Sequence, residues 1–140
     1  MSTFIVDNLK GKTTANTMTV LAGHATDSTT TINLEQGLAK AWINFNGTGT
    51  IASRNTFNTT SLTDVGTGNY SFDFVNDMNN NDYAITGGAR SPAVASGLLN
   101  APPDAESEAA TDSLEFYALS LAGNPTDFNH IYVVVHGDLA

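Results

Sequence analysis

The sequence contains no cysteine, so disulfides and thiolate metal sites are excluded. Cationic side chains are scarce: Lys10, Lys12, Lys40, Arg54 and Arg90 stand against 14 acidic residues, for a formal charge of −9. Neutralising phosphates or anionic lipid heads requires clustered Lys and Arg, so neither nucleic acid nor a membrane is an expected partner. Net repulsion instead favours solubility. No apolar run approaches a membrane span, and the start MSTFIVDNLKGK lacks an h-region of signal-peptide length, so no leader is expected. The Asn-x-Ser/Thr triplets at Asn46, Asn58 and Asn69 therefore carry little weight as glycosylation sites. Strong helix formers (Lys, Glu, Gln and Arg) are also few.

Thr, Ser, Asn and Gly fill much of the chain, and these residues suit strand faces and turns. With 41% hydrophobic residues in an alternating pattern, the composition is that of a folded all-β protein. A length of 140 residues suits one domain with an arm. Residues 1–37 form the expected arm and linker. Phe4-Ile5-Val6 is a short apolar run, and the threonine-rich stretch that follows has Met18, Val20 and Leu21 as its apolar points. Such a segment has no private core and needs a neighbour to lie against, which identical copies around a symmetry axis would supply. Leu34, Leu38 and Ala41 fall at helical spacing, with Asn33 placed to cap a short linker helix.

The body, residues 38–140, reads as antiparallel strands. One is expected from Ala41 to Phe45, followed by a hairpin signal at Asn46-Gly47. Weak and alternating strands follow near Thr50–Arg54 and Phe57–Asp64, then a turn at Gly66–Asn69. In Tyr70-Ser71-Phe72-Asp73-Phe74 the three aromatics share one face. A polar turn, Asn76–Asp82, leads to a strand from Tyr83 that is expected to stop at Gly87-Gly88. Arg90 to Asp112, with Pro92, Pro102 and Pro103, reads as a long surface loop. Strands return at Leu114–Leu121 and Asn129–His136. The last is apolar on both faces, as in a central strand or one covered by a neighbouring chain.

Residues that could carry chemistry do not assemble into a motif. His24, His130 and His136 are the only imidazoles, and the last two stand roughly 20 Å apart at strand rise. Asp77–Asp82 starts like a calcium loop, but Asp82 and Gly88 occupy the positions that need glycine and glutamate. Gly47-Thr48-Gly49-Thr50 and Gly66-Thr67-Gly68 open no helix and precede no lysine, so they read as turns rather than phosphate cradles. No G-x-S-x-G elbow is present. The acids Asp104, Glu106, Glu108, Asp112 and Glu115 lie in a loop without apolar walls to raise a carboxyl pKa. Trp42, Tyr70, Phe72 and Phe74 suit a buried core better than a sugar platform. No catalytic residue, metal or cofactor is expected.

The stretch from Leu38 to Ile85, which includes KAWINFNGTGTIASRNTFNTTSLTDVGTGNYSFDFVNDMNNNDYAI, resembles a module of tailed bacteriophages, especially phages of aquatic bacteria and cyanobacteria. The ending VVVHGDLA is similar to the valine-rich last strand of that module, and STFIVDNLKG to its short N-terminal arms. Ser53 stands where the module has a branched apolar residue, and His136 where phenylalanine is common. The resemblance implies a non-enzymatic virion structural protein: an antiparallel β-sandwich, jelly-roll-like body with an extended N-terminal arm, assembled as a homotrimer on the particle exterior after synthesis in the host cytoplasm. With only residues 1–37 ahead of the body and no repetitive shaft, a capsid decoration or cement protein, or a short head fibre, is expected. The alternative is a short tail fibre or tail tip that binds a host surface glycan. Expected partners are thus further copies of the chain and the major capsid protein or tail proteins. Expected docking residues are Phe4, Ile5, Val6, Leu9, Lys10 and Lys12. Met18, Val20, Leu21, Leu34, Leu38 and Trp42 are the expected subunit interface.

Overall fold

In a computed structural model, the structure describes strand residues 19–21 and 31–33 and residues 37–92, 97–100 and 109–140. The chain divides into two compact units, residues 1–38 and 39–140. In the first, β1 (Thr19–Leu21) pairs antiparallel with β2 (Thr31–Asn33). Asn33 therefore ends a strand, where the apolar spacing had suggested a helix cap. Residues 34–36 lie outside the described residues.

The second unit contains β3 (Ala41–Asn46), β4 (Ala52–Phe57), β5 (Thr59–Gly66), β6 (Asn69–Phe74), β7 (Ala84–Arg90), β8 (Gly97–Asn100), β9 (Ser113–Ser120) and β10 (His130–His136). All pairings are antiparallel, in the order β4-β3-β10-β7-β8-β9-β6-β5. The all-β, antiparallel expectation holds, with the strands joined into one hydrogen-bonded sheet. The two outermost strands, β4 and β5, are consecutive in the chain, and β5 also comes back to contact β3. The sheet is therefore curled until it nearly closes.

Asn58 makes that corner. It takes a left-handed backbone (φ 55°), which asparagine tolerates better than most residues. Its side chain accepts from the Asn76 backbone N–H at 2.7 Å and donates to the Asn76 carbonyl at 3.0 Å. The β4–β5 corner is thereby tied to the turn after β6.

Alternation puts one set of side chains inside. Ile43 and Phe45 of β3, Tyr70, Phe72 and Phe74 of β6, Leu114, Phe116 and Ala118 of β9, and Ile131, Val133 and Val135 of β10 are all buried. An eight-stranded curled sheet leaves an interior that side chains can fill completely. Aromatic rings fill this one edge to face: Phe45 on Tyr70 at 5.0 Å, and Phe72 on Phe74 at 5.7 Å.

Three local expectations are corrected. The β3–β4 hairpin is present, but its loop runs from Gly47 to Ile51 and is not a two-residue Asn-Gly turn. Gly47 is drawn inward instead: its N–H donates to Phe128 O at 2.9 Å, and its carbonyl lies 2.9 Å from the Tyr70 hydroxyl. Gly87-Gly88 does not stop β7, which continues to Arg90. A Cβ at Gly87 would strike the Tyr132 carbonyl of β10, and one at Gly88 would lie 2.8 Å from the Tyr132 hydroxyl. The two glycines let that neighbour sit close, so they belong to the strand. Finally, the segment from Arg90 to Asp112 is not wholly a loop. It contains β8, an interior strand paired with β9 through Leu98↔Leu119 and Leu99↔Ala118.

Two tyrosines carry buried hydroxyls. The Tyr70 hydroxyl lies 2.9 Å from Asp127 Oδ1, which also accepts from the Gly68 N–H at 2.7 Å. Burial, then the Asp127 hydrogen bond, hold its phenol protonated far above the ordinary range. Tyr83 donates toward the Ala110 and Ser113 carbonyls, each at 3.1 Å. Its pKa is pushed up from 10.0 to about 12 by burial first and by the Asp112 charge second. A folded value above the unfolded one means that this contribution is complete below pH 10 and is lost as pH climbs toward 12. Denaturant unfolding over that window should show a decline in stability that is shallower in Tyr83→Phe. Equal slopes in the two proteins would show that this phenol carries none of the decline.

Candidate functional site

The interior carries packing, so the outer face of β4-β3-β10-β7 is where this body presents unusual chemistry. Directly paired residues of an antiparallel sheet share a face. Phe57 of β4 pairs with Trp42 of β3, and Trp42 pairs with Val134 of β10. This row is apolar and faces outward: Phe57 is 51% exposed, and Trp42 and Val134 are half-buried. Tyr132, two residues along the same face, is 46% exposed and lies over Gly88. Single exposed apolar residues are ordinary, but a contiguous row of them across three strands is a candidate contact surface. The expectation that β10 is apolar on both faces thus resolves into a buried side of Ile131, Val133 and Val135 and an outer side of Tyr132 and Val134.

At the other end of the same face the chemistry changes sign. The β3–β4 register shifts between Asn44↔Asn55 and Phe45↔Ser53, which leaves Arg54 as the extra residue of a bulge. Bulges re-aim side chains. The Arg54 guanidinium turns over β3 and donates to Phe45 O at 2.6 Å and to Asn129 O at 2.5 Å, just ahead of β10. His130 opens β10 and is the direct cross-strand partner of Arg90, the last residue of β7. The imidazole's pKa is lowered by desolvation first, then by the charges of Arg54 and Arg90. Beside it lies a cavity of about 400 Å³ lined by Arg90, Ser91, Pro92, Asn129 and His130. The Asn129 Oδ1 atom is buried from solvent, with no hydrogen-bond donor among the described residues.

A second cavity, about 390 Å³, opens where β7 and β8 splay apart beyond their single Ala89↔Gly97 pairing. Ile85, Thr86, Gly87, Leu98, Leu99, Asn100 and Phe116 line it, and none of them titrates.

Against known protein families, curated proteins and solved structures, the chain finds no match.

Of the interface residues expected from sequence, Trp42 lies in the apolar row, and Leu38, the last residue of the first unit, is 55% exposed. Val20 and Leu21 lie in β1. Phe4, Ile5, Val6, Leu9, Lys10, Lys12, Met18 and Leu34 lie outside the described residues, as do His24, Asp104, Glu106 and Glu108. Among the described residues no three His, Asp or Glu side chains gather as a metal site, and no helix is long and apolar enough to cross a membrane. Reading along the chain missed the meeting of Arg54, Arg90 and His130. The one signal available was that both arginines of an acidic protein stand close to an asparagine or a proline, Asn55 after Arg54 and Pro92 shortly after Arg90.

Proposed function

We propose that this protein is a non-enzymatic structural component of a tailed-phage particle, displayed on the exterior as a capsid decoration or cement protein, and that it acts as a homotrimer. The observation that carries the assembly reading is the outward row Phe57–Trp42–Val134 with Tyr132 beside it. A folded body that leaves such a row in water gains by covering it with another copy. The phage placement rests on the resemblance of Leu38 to Ile85 and of the two chain ends to virion modules. In this reading the curled sheet serves as a sandwich-like, jelly-roll-like head, and residues 1–37 dock on the shell and pair between subunits. Area buried between copies and against the lattice then strengthens the shell by mass action, without chemistry.

The test has two parts. In sedimentation, the isolated protein should run as a trimer, and Phe57→Glu should run as a monomer with an unchanged far-UV spectrum. A wild-type monomer, or a trimer untouched by the charge, defeats the assembly reading. Quantitative gels of purified particles decide the placement: many copies per particle mean the shell, a few mean the tail, and absence from particles removes both. The tail-tip alternative, in which the head binds a host glycan, is favoured by one specific observation, the cationic corner at His130.

A further inference from the structure

β7 lies inside the sheet order, yet over its first half it behaves as an edge strand. Along one side it pairs with β10 through all seven of its residues, Ala84 to Arg90. On the other side, among the described residues, its ladder with β8 is the single pair Ala89↔Gly97, although β8 pairs with β9 through all four of its own residues. Ala84, Ile85, Thr86 and Gly87 are all exposed, where a strand inside a curled sheet alternates between buried and exposed. Ile85 and Gly87 stand opposite Val135 and Val133, which are fully buried, so both belong to the inner face. Ile85 is nevertheless 36% exposed. The interior is therefore open along this seam, and the opening is the cavity of about 390 Å³. A side chain rather than a ladder crosses it: a Cβ on Gly87 would lie 2.5 Å from Leu99 Cδ1.

A strand edge without a ladder presents backbone N–H and C=O groups, which in folded proteins are normally paired. A hydrocarbon ligand offers these groups nothing, whereas an extended polypeptide supplies donors and acceptors at the strand repeat. The lining sets what that polypeptide carries. Ile85, Leu99 and Phe116 form an apolar inner side, Leu99 standing opposite the buried Ala118. Thr86, Leu98 and Asn100 form the outer side. No lining residue titrates, so the segment is uncharged inside the slot, and the net charge of −9 favours cations over acids at its ends. Ala84 to Gly87 spans roughly 13 Å at strand rise, the length of about four residues. Continuing the chain's own register from Ala89↔Gly97 would bring Pro102 opposite Ala84, and proline has no N–H to donate. We propose that the seam between β7 and β8 is a strand-addition site for an extended segment of a different protein, about four residues long, paired along the free edge of β7 with an apolar side chain turned inward.

This site does not depend on the assembly reading or on the placement on a particle. The full chain is titrated calorimetrically with a blocked hexapeptide of alternating threonine and isoleucine, extended by a lysine at each end. Two further versions are N-methylated on one or the other alternate set of amides, which removes the donors of one edge at a time and keeps every side chain. The parent peptide should bind, and the version methylated on the edge that meets β7 should bind about tenfold more weakly or worse. No binding overturns the site. Equal binding by all three peptides overturns strand addition, because side chains alone would then be read. Amide hydrogen exchange gives the location. In the free protein the amides between Ala84 and Gly87 that do not donate to β10 should exchange fast, and the parent peptide should slow them about tenfold or more. Slow exchange there in the dilute free protein overturns the open seam. Slowing that grows with protein concentration alone means that a second copy fills the slot, which overturns the assignment to a different protein. Ile85→Lys should weaken the peptide about tenfold with an unchanged far-UV spectrum. Full binding by that folded variant overturns the placement against Ile85, and if the variant fails to fold, the exchange pattern of the wild-type protein decides.

Discussion

Phe116→Ala is expected to cost about 3–5 kcal/mol of folding free energy. Its ring is the hub of the interior. It lies 6.2 Å from Phe45, 6.0 Å from Tyr70 and 6.2 Å from Phe72, so it joins β3 and β6 through β9. Removing it leaves a cavity walled by rings that are themselves locked by their strands and cannot collapse into the space. A domain of this size has only about 5–15 kcal/mol of stability in total, so the variant should unfold at a much lower denaturant midpoint. Urea titration followed by Trp42 fluorescence measures the difference. A loss below about 1 kcal/mol would mean that the interior repacks around the gap, contrary to the ring geometry.

Gly68→Ala should come next, and Gly49→Ala separates its two causes. Both glycines have left-handed backbones, φ 66° and φ 65°. At Gly49 an added Cβ meets nothing within 4 Å, so that variant reports the conformational penalty alone, about 1 kcal/mol. At Gly68 the Cβ would also lie 2.7 Å from Ala118 O and 2.9 Å from the Pro125 carbonyl carbon, and it would press on the Thr126 nitrogen. These are backbone atoms of a pinned segment: the Ala118 N–H donates to Gly68 O at 2.7 Å, and the Thr126 N–H to Ala118 O at 2.9 Å. Neither side can swing away as a flexible side chain would, so overpacking adds about 1–3 kcal/mol to the first penalty. Gly68→Ala should also weaken the Gly68 N–H bond to Asp127, and through it the Tyr70 hydroxyl. Equal losses in the two variants would show that the close approach of β6, β9 and the turn at Pro125 is not rigid.

The elements that were legible are those whose signal is local. Tyr70, Phe72 and Phe74 alternate with Ser71 and Asp73, and the structure buries the aromatics while leaving Asp73 exposed. The runs at Ala41–Phe45, Leu114–Leu121 and Asn129–His136 became β3, β9 and β10 within a residue or two at each end. The failures share one cause, which is that the deciding neighbour lies far along the chain. Gly87-Gly88 looks like a stop until Tyr132 is placed against it. Leu98-Leu99 lies in a proline- and alanine-rich stretch, yet it becomes a strand because β9 supplies its partners. Asn46-Gly47 lost its tight turn to the pull of Phe128 and Tyr70.

The cationic corner shows the same division. That the body would carry few cations was readable at once, and so was the alternating pattern that makes it an all-β protein with an aromatic interior. A period of two depends only on adjacent residues, so it survives whatever the rest of the chain does. That Arg54, Arg90 and His130 would meet, and that Phe57, Trp42 and Val134 would form one outward row, depended on register, on a bulge at Arg54 and on the curling of the sheet. Those are set by pairings between strands, some near in the chain, as Asn44↔Asn55, and some far apart in it, as Trp42↔Val134, and only the tertiary structure could decide them.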